Sequence, residues 1–539
     1  MRGGRSAKWA AGAIVVALSV TACGGGGKGE ESASKEKGKP AGYISMDNGE
    51  PQKPLIPADT NESVGANVIR SLFTQLLEFN KQGEIVYTNA ESVTSKDSKT
   101  WTVKLKKGWK FHDGTPVTAE SYVKAWNWYA NVDNKMQNAF WFSDIVGYDQ
   151  VHPEKGKAKA DAMSGLKVVD DNTFTIELTA PVPYFEYKLG YSTFAPLPEV
   201  FYKDTKAFGQ APVGNGPYIF EKWDHKKLIQ VKANPGYLGP NKAKNKGILF
   251  KNYATIEAAY QDLLSGNLDL IKQVGPKDLP KYKSDLGDRV IDEPWAGIQS
   301  ITPVFYSKTF KGINPKVLQG LSMAIDRKTI TQTVLNGTRN PATSFTPTGV
   351  AGNQQLKTDV FTFNPAKAKQ LVTEGGGVPD NKIWIQYNAD GGHKEWVTAV
   401  CASIRNSTGV DCIPDAKPDF QTDLEVRDNK QVKSMYRSGW VADYPLNVNF
   451  LKELYATDAE ANKGFFSDKA VDAAFKKGDN AKSLEETVKA YQEAEKLILT
   501  KMPSIPLWEY KTNGGYSKAV DNVGIDFHGD YVLTNVTVK

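Results

Sequence analysis

After the apolar run at residues 9–22, no stretch of the chain is long and apolar enough to cross a bilayer as a helix, which takes about 20 residues. The run itself is too short to do so. The chain is therefore expected to sit on the membrane and not to pass through it. At 539 residues it exceeds what one hydrophobic core serves, so two or three lobes are expected. The formal charge of +6 is small for that length, and lysines alternate with carboxylates without forming a basic stripe. Such a surface does not track phosphates, so no nucleic acid is expected as a partner. Aromatic residues make up 11% of the chain, a share that suits a ligand-lined cleft and a large core equally well.

Arg2, Arg5 and Lys8 precede the apolar run, which ends in Val20-Thr21-Ala22-Cys23-Gly24. This pattern resembles a bacterial lipobox, in which the cysteine is acylated and the chain is cut just before it. Residues 1–22 are then a lipoprotein signal peptide. Residues 23–42, rich in Gly, Lys, Glu and Ser, read as the acylated Cys23 and a flexible tether. The expected location is the extracytoplasmic face of a bacterial membrane, held to the bilayer through Cys23 by two or more acyl chains. An ordinary secretory peptide with an incidental cysteine is the alternative.

With Cys23 set aside, Cys401 and Cys412 remain, and an even pair in an exported chain favours a disulfide. Trp396, Val400 and Ile404 repeat at helical spacing, which puts Cys401 on an amphipathic helix. Cys412 follows Gly409-Val410-Asp411, at the start of a strand. The bond would staple one to the other. A metal or redox pair is disfavoured by the long spacing and the lack of a nearby histidine.

Helical and strand signals are mixed throughout, giving an α/β or α+β chain of several lobes with no internal repeat. Thr102 to Leu105 and Phe174 to Leu178 alternate as half-buried strands do. Thr118 is a good N-cap for a helix burying Tyr122, Ala125, Trp126 and Tyr129. Ser483-Leu484-Glu485-Glu486 is a capping box opening a helix with Leu484, Val488, Tyr491 and Ile498 inward; Pro503 and Pro506 follow it with an extended tail.

No G-x-S-x-G elbow or H-E-x-x-H pair is present, and the five histidines are never at i, i+4. Neither catalysis, a metal nor a cofactor is expected. The informative segment is Tyr436-Arg437-Ser438-Gly439-Trp440-Val441-Ala442-Asp443-Tyr444-Pro445. An Asp and an Arg six residues apart, with aromatics between and beside them, supply both charges that a zwitterionic ligand needs. A strand-and-turn segment with a structural ion pair would look the same.

Gly439-Trp440-Val441-Ala442-Asp443-Tyr444 resembles the G-W-x-A-D-Y segment of oligopeptide-binding proteins, in family 5 of the solute-binding proteins that serve ABC importers. Gly108-Trp109-Lys110-Phe111-His112-Asp113-Gly114-Thr115-Pro116-Val117-Thr118-Ala119 is similar to that family's G-x-x-F-x-D-G-x-P-x-T-A block. Pro212-Val213-Gly214-Asn215-Gly216-Pro217-Tyr218 resembles its P-V-G-T-G-P-Y turn, with Asn215 for the usual Thr. Asn234-Pro235-Gly236-Tyr237, Gly266-Asn267-Leu268-Asp269 and the stretch from Asn364 to Leu371 match further blocks, all in the family's order.

The resemblance implies a periplasmic-binding-protein-like fold (family 5, type II cluster C), with two α/β lobes, a hinge and an extra inserted domain. Mapped here, lobe I would hold 43–85, 206–300 and 507–539, the inserted domain 86–205, and lobe II 301–506. Hinge crossings would fall near 298–305 and 504–507. The resemblance further implies that Asp443 receives a peptide's α-amine and that Arg437 meets a carboxylate. Trp440 and Tyr444 would wall the cleft, with Ala442 beside them. The backbone would pair with the ligand as with an added strand. Asn61 and Ser63 match a cleft-lining loop by position, although the residues there differ from the family's. The partners implied are short peptides and ABC permease subunits, and a monomer is expected. A family receptor for a sugar, nickel chelate, haem or glutathione is the alternative, and an exported hydrolase a more distant one.

Overall fold

The computed structural model describes Lys39–Lys539, so the export segment and Cys23 lie outside the described residues. Two main sheets organise the chain. A seven-stranded sheet runs in the order Val290–Ile291, Gly514–Tyr516, Leu270–Ile271, Tyr43–Asp47, Gly247–Lys251, Leu228–Ala233, Tyr218–Asp224. Tyr43–Asp47 at its centre is parallel to Gly247–Lys251, and Ser45 is fully buried, which leaves its polar groups needing partners. Asp269 supplies them. Its carboxylate accepts from the Ser45 N–H at 2.8 Å and from Ser517 Oγ at 2.9 Å, tying three parts of the chain together.

A six-stranded sheet runs in the order Arg339–Pro341, Ile505–Lys511, Pro294–Pro303, Met435–Val441, Lys382–Asn388, Asp411–Lys417. Its parallel pair Lys382–Asn388 and Asp411–Lys417 is covered by the helix Lys394–Thr408, which buries Trp396, Val400 and Ile404 as their spacing predicts. Cys401 on that helix is bonded to Cys412 on the outer strand, with Cα atoms 4.8 Å apart.

The chain passes between these sheets twice, at residues 292–293 and 512–513. The crossings expected near 298–305 and 504–507 lie largely inside the strands Pro294–Pro303 and Ile505–Lys511, which pair with each other in the six-stranded sheet. Both strands are buried along most of their length, so the chain crosses just before the first and just after the second.

A separate four-stranded antiparallel sheet is built from Ala90–Ser95, Thr100–Leu105, Thr173–Glu177 and Leu166–Asp170. The helix Ala119–Ala130 packs on it, opened by the Thr118 N–H donating to Ser121 Oγ at 3.1 Å. It buries Tyr122, Ala125, Trp126 and Tyr129, and Trp126 meets Phe174 edge to face at 5.5 Å. The helix Leu484–Lys501 starts at Ser483, whose Oγ accepts from the Glu486 N–H at 3.2 Å. Its buried face includes Tyr491 and Ile498, with Leu484 and Val488 partly covered.

Gly214 explains how the Pro212-to-Tyr218 turn is seated. A Cβ there would lie 1.9 Å from the Leu72 carbonyl oxygen, so only glycine allows the turn to press on the end of the helix Ser63–Leu72. Asn215, in the place of a threonine, pairs with the backbone of Thr74 through Oδ1 at 2.9 Å and Nδ2 at 2.8 Å.

Candidate functional site

Between the two main sheets lies a cavity of about 1270 Å³, above the 300–1,000 Å³ typical of small-molecule sites. One of its walls is the strand Met435–Val441. Along one edge that strand pairs with Pro294–Pro303 through seven consecutive residues, Gly297↔Val441 to Pro303↔Met435. Along the other it pairs with Lys382–Asn388 only at Ile385↔Met435 and Gln386↔Tyr436. From residue 437 onward the second edge has no strand beside it. Backbone groups alternate sides along a strand, and the Ala442 N–H points toward Pro294–Pro303, donating to Ala296 at 2.9 Å. By that alternation Gly439 and Val441 present their N–H and C=O groups to the open edge, and Arg437 its C=O, the Arg437 N–H being used in the pairing at Gln386↔Tyr436.

Asp443 follows this strand and lines the cavity. Its Oδ2 accepts from Asn449 Nδ2 at 2.9 Å. Among the described residues no cation pairs with it, since Arg70 is engaged by Asp530 and His528 lies 3.5 Å from Asp526. Burial pushes the Asp443 carboxyl up to about 7, the neighbouring Glu453 charge adds to the rise, and Asn449, His528 and Arg70 oppose it. A carboxylate held this way is costly until a cation reaches it.

Arg437 lies at the other end of the segment. Its Nε and Nη2 both donate to Asn388 Oδ1, at 2.9 and 2.6 Å, and its guanidinium stands 5.1 Å over the Phe420 ring. Burial lowers its pKa, with the charge of Arg427 adding to the effect, and no carboxylate pairs with it among the described residues. About 20 Å of extended chain separates Asp443 from Arg437 at the rise of a strand.

Of the other residues singled out from the sequence, Trp440, Ala442, Asn61 and Ser63 share the cavity wall with Asp443 and Arg437. The Trp440 indole donates to Asn449 Oδ1 at 3.1 Å. Ser63 opens the helix Ser63–Leu72, and the preceding Glu62 caps it, accepting from Val64 N–H at 2.6 Å and Gly65 N–H at 2.8 Å. Tyr444 does not line the cavity. It is fully buried behind the wall, edge-on to Trp141 at 6.0 Å and stacked on Tyr184 at 6.3 Å. Strand alternation ends at the turn after Asp443, and there a tyrosine is drawn into an aromatic cluster.

Sequence reasoning missed Asn449, Glu453 and His528. Asn449 had a local signal, six residues after Asp443 in the same segment. Glu453 follows it by one helical turn, and His528 reaches Asp443 only through folding.

The pattern described as bacterial extracellular solute-binding proteins, family 5 middle, matches residues 84–462. The chain belongs to this family. Family 5 proteins bind solutes outside the cytoplasm, so the chain is a solute-binding protein and not an enzyme. The chain is 28% identical over 549 aligned residues to the oligopeptide-binding protein OppA of Bacillus subtilis, covering 98% of both. It is 29% identical to the periplasmic murein peptide-binding protein MppA of Escherichia coli, over 85% of this chain and 86% of that one. The solved structure of E. coli murein tripeptide binding protein MppA superposes with a TM-score of 0.83 at 24% identity, covering 92% of this chain and 98% of that chain. The two-lobed periplasmic-binding-protein-like fold expected of family 5 is therefore the fold of this chain.

Proposed function

We propose that the chain captures short peptides in the cavity between its two sheets and delivers them to an ABC permease. The observation that carries this reading is the Asp443 carboxylate, with which no cation pairs among the described residues and which stands at the end of an open strand edge. A peptide supplies what each of these lacks. Its α-ammonium meets Asp443, its backbone pairs with residues 437–441 as an added strand, and its carboxylate meets Arg437. The roughly 20 Å of extended backbone from Arg437 to Asp443 suits a ligand of several residues and not a single amino acid. The volume beyond the strand edge leaves room for water around varied side chains. Relatives named for oligopeptides and murein peptides support the same class of ligand.

The lobes meet at 292–293 and 512–513 in this reading, and closure about these two links encloses the peptide. Acylation of Cys23 holds the receptor at the outer face of the membrane, where released peptide passes directly to the permease. Native mass spectrometry of the protein purified without denaturation tests the proposal. Retained masses in the range of short peptides support it, whereas a retained sugar, haem or metal chelate refutes it. Detergent-phase partitioning of the full chain against Cys23→Ser tests the anchor; equal partitioning removes it.

A further inference from the structure

Asn449 is fully buried in the helix Asn447–Tyr455, and its amide makes three hydrogen bonds that all lead to the site. The Asp443 backbone N–H reaches its Oδ1 at 2.8 Å, and the Trp440 indole N–H reaches the same atom at 3.1 Å. Two groups that only donate converge on one atom, so that atom is the oxygen. The amide nitrogen is thereby turned toward Asp443, where it donates to Oδ2 at 2.9 Å. This orientation follows from chemistry alone.

We infer that Asn449 is the positioning residue of the receptor site, fixing the Asp443 carboxylate and the Trp440 ring as one unit and leaving one carboxylate oxygen for the ligand's ammonium. The inference rests on the peptide reading given above. Three features support it. One buried side chain orients both an acid and an aromatic of the cavity wall. Its donated bond favours the charged form of Asp443, against burial and against Glu453, which lies one helical turn further along the same helix. Finally, no backbone group of its own helix competes for the amide, so the side chain is committed to the site. The charged and titratable groups facing Asp443 are Tyr444 next to it in sequence, Glu453 on the helix of Asn449, and His528, Arg70 and Tyr191 from other elements. None of them is hydrogen-bonded to its carboxylate among the described residues.

The test uses the full chain and a synthetic pool of random tri- to pentapeptides, free or N-acetylated, with occupancy read by native mass spectrometry between pH 5 and 9. Wild type should retain the free pool over the acetylated one. Asn449→Ala should lose at least tenfold in affinity for the free pool and little for the acetylated pool. The midpoint of its pH profile should move upward, because the bond favouring the carboxylate is gone. Asn449→Asp keeps the two accepted bonds and rebuilds the third through a shared proton. It should bind the free pool better than Asn449→Ala at pH 7 and show a second ionisation above that pH. A purely structural role would weaken both pools equally and leave the profile in place, and that result overturns the inference. Should Asn449→Ala fail to fold, the Asn449→Asp profile decides, and a profile identical to wild type overturns the inference. If wild type itself retains neither pool, or both equally, the peptide reading falls and this inference with it.

Discussion

The Tyr184 hydroxyl donates to Asp479 Oδ1 at 2.7 Å across 295 residues of sequence. The same oxygen accepts from Tyr491 at 2.7 Å, and Oδ2 accepts from Lys452 Nζ at 2.9 Å. Tyr184 stacks on Tyr444, the residue after Asp443. The segment carrying the site is thus held from behind by the part of the chain around the four-stranded sheet.

Asp479→Ala removes the acceptor of all three bonds and leaves Lys452 and two tyrosine hydroxyls without it. The expected loss is about 2–4 kcal/mol in stability, the scale of a broken, partly buried charged network. Urea unfolding measures it, and a loss below 1 kcal/mol would mean that solvent replaces these bonds freely.

Asp443→Asn keeps the shape of the site and removes its charge. Peptide affinity should fall by ~1.5–3 kcal/mol, as for one charge-assisted hydrogen bond, while the fold survives. N-terminal acetylation of the peptide should weaken wild type far more than the variant in calorimetry. Equal weakening of both would end the assignment of Asp443 to the α-amine.

The pH dependence has a definite sign. The Asp443 carboxyl titrates near 7 in the fold against an ordinary 3.8, so the native state holds a proton that the unfolded chain has already lost. Its contribution to stability therefore falls as pH rises from about 4 to about 7. Peptide affinity runs the other way, because the ammonium needs the carboxylate. Burial likewise raises Asp47 and Glu62 to about 7. Asp443→Asn should accordingly flatten, without abolishing, the decline in melting temperature across this window. A variant with the wild-type slope would show that Asp443 does not titrate there.

Replacing Cys401 and Cys412 by serine opens a short loop between a helix and the outermost strand of the six-stranded sheet. The cost should be roughly 2–3 kcal/mol by the chain-entropy estimate. Neither cysteine lines the cavity, so peptide affinity should stay within twofold of wild type when stability and binding are measured side by side. A large loss of affinity would mean that the staple shapes the site.

What could be read from the chain by itself was local. Thr118 and Ser483 announced helix starts, Trp396, Val400 and Ile404 announced a buried face, and the pair Cys401 and Cys412 announced a bond. Each signal depends on residues within a few positions, where spacing and capping chemistry suffice. The segment from Arg437 to Asp443 was legible for the same reason, since both charges and the aromatic between them lie on one strand and its end. Tertiary structure alone decided the rest. It drew Tyr444 behind the wall into contact with Trp141 and Tyr184, and moved the sheet-to-sheet links to 292–293 and 512–513. It also set Glu453, His528 and Arg70 around Asp443. Burial and charge are properties of a place in the fold, and that place is made by segments far apart in sequence whose meeting no local pattern encodes.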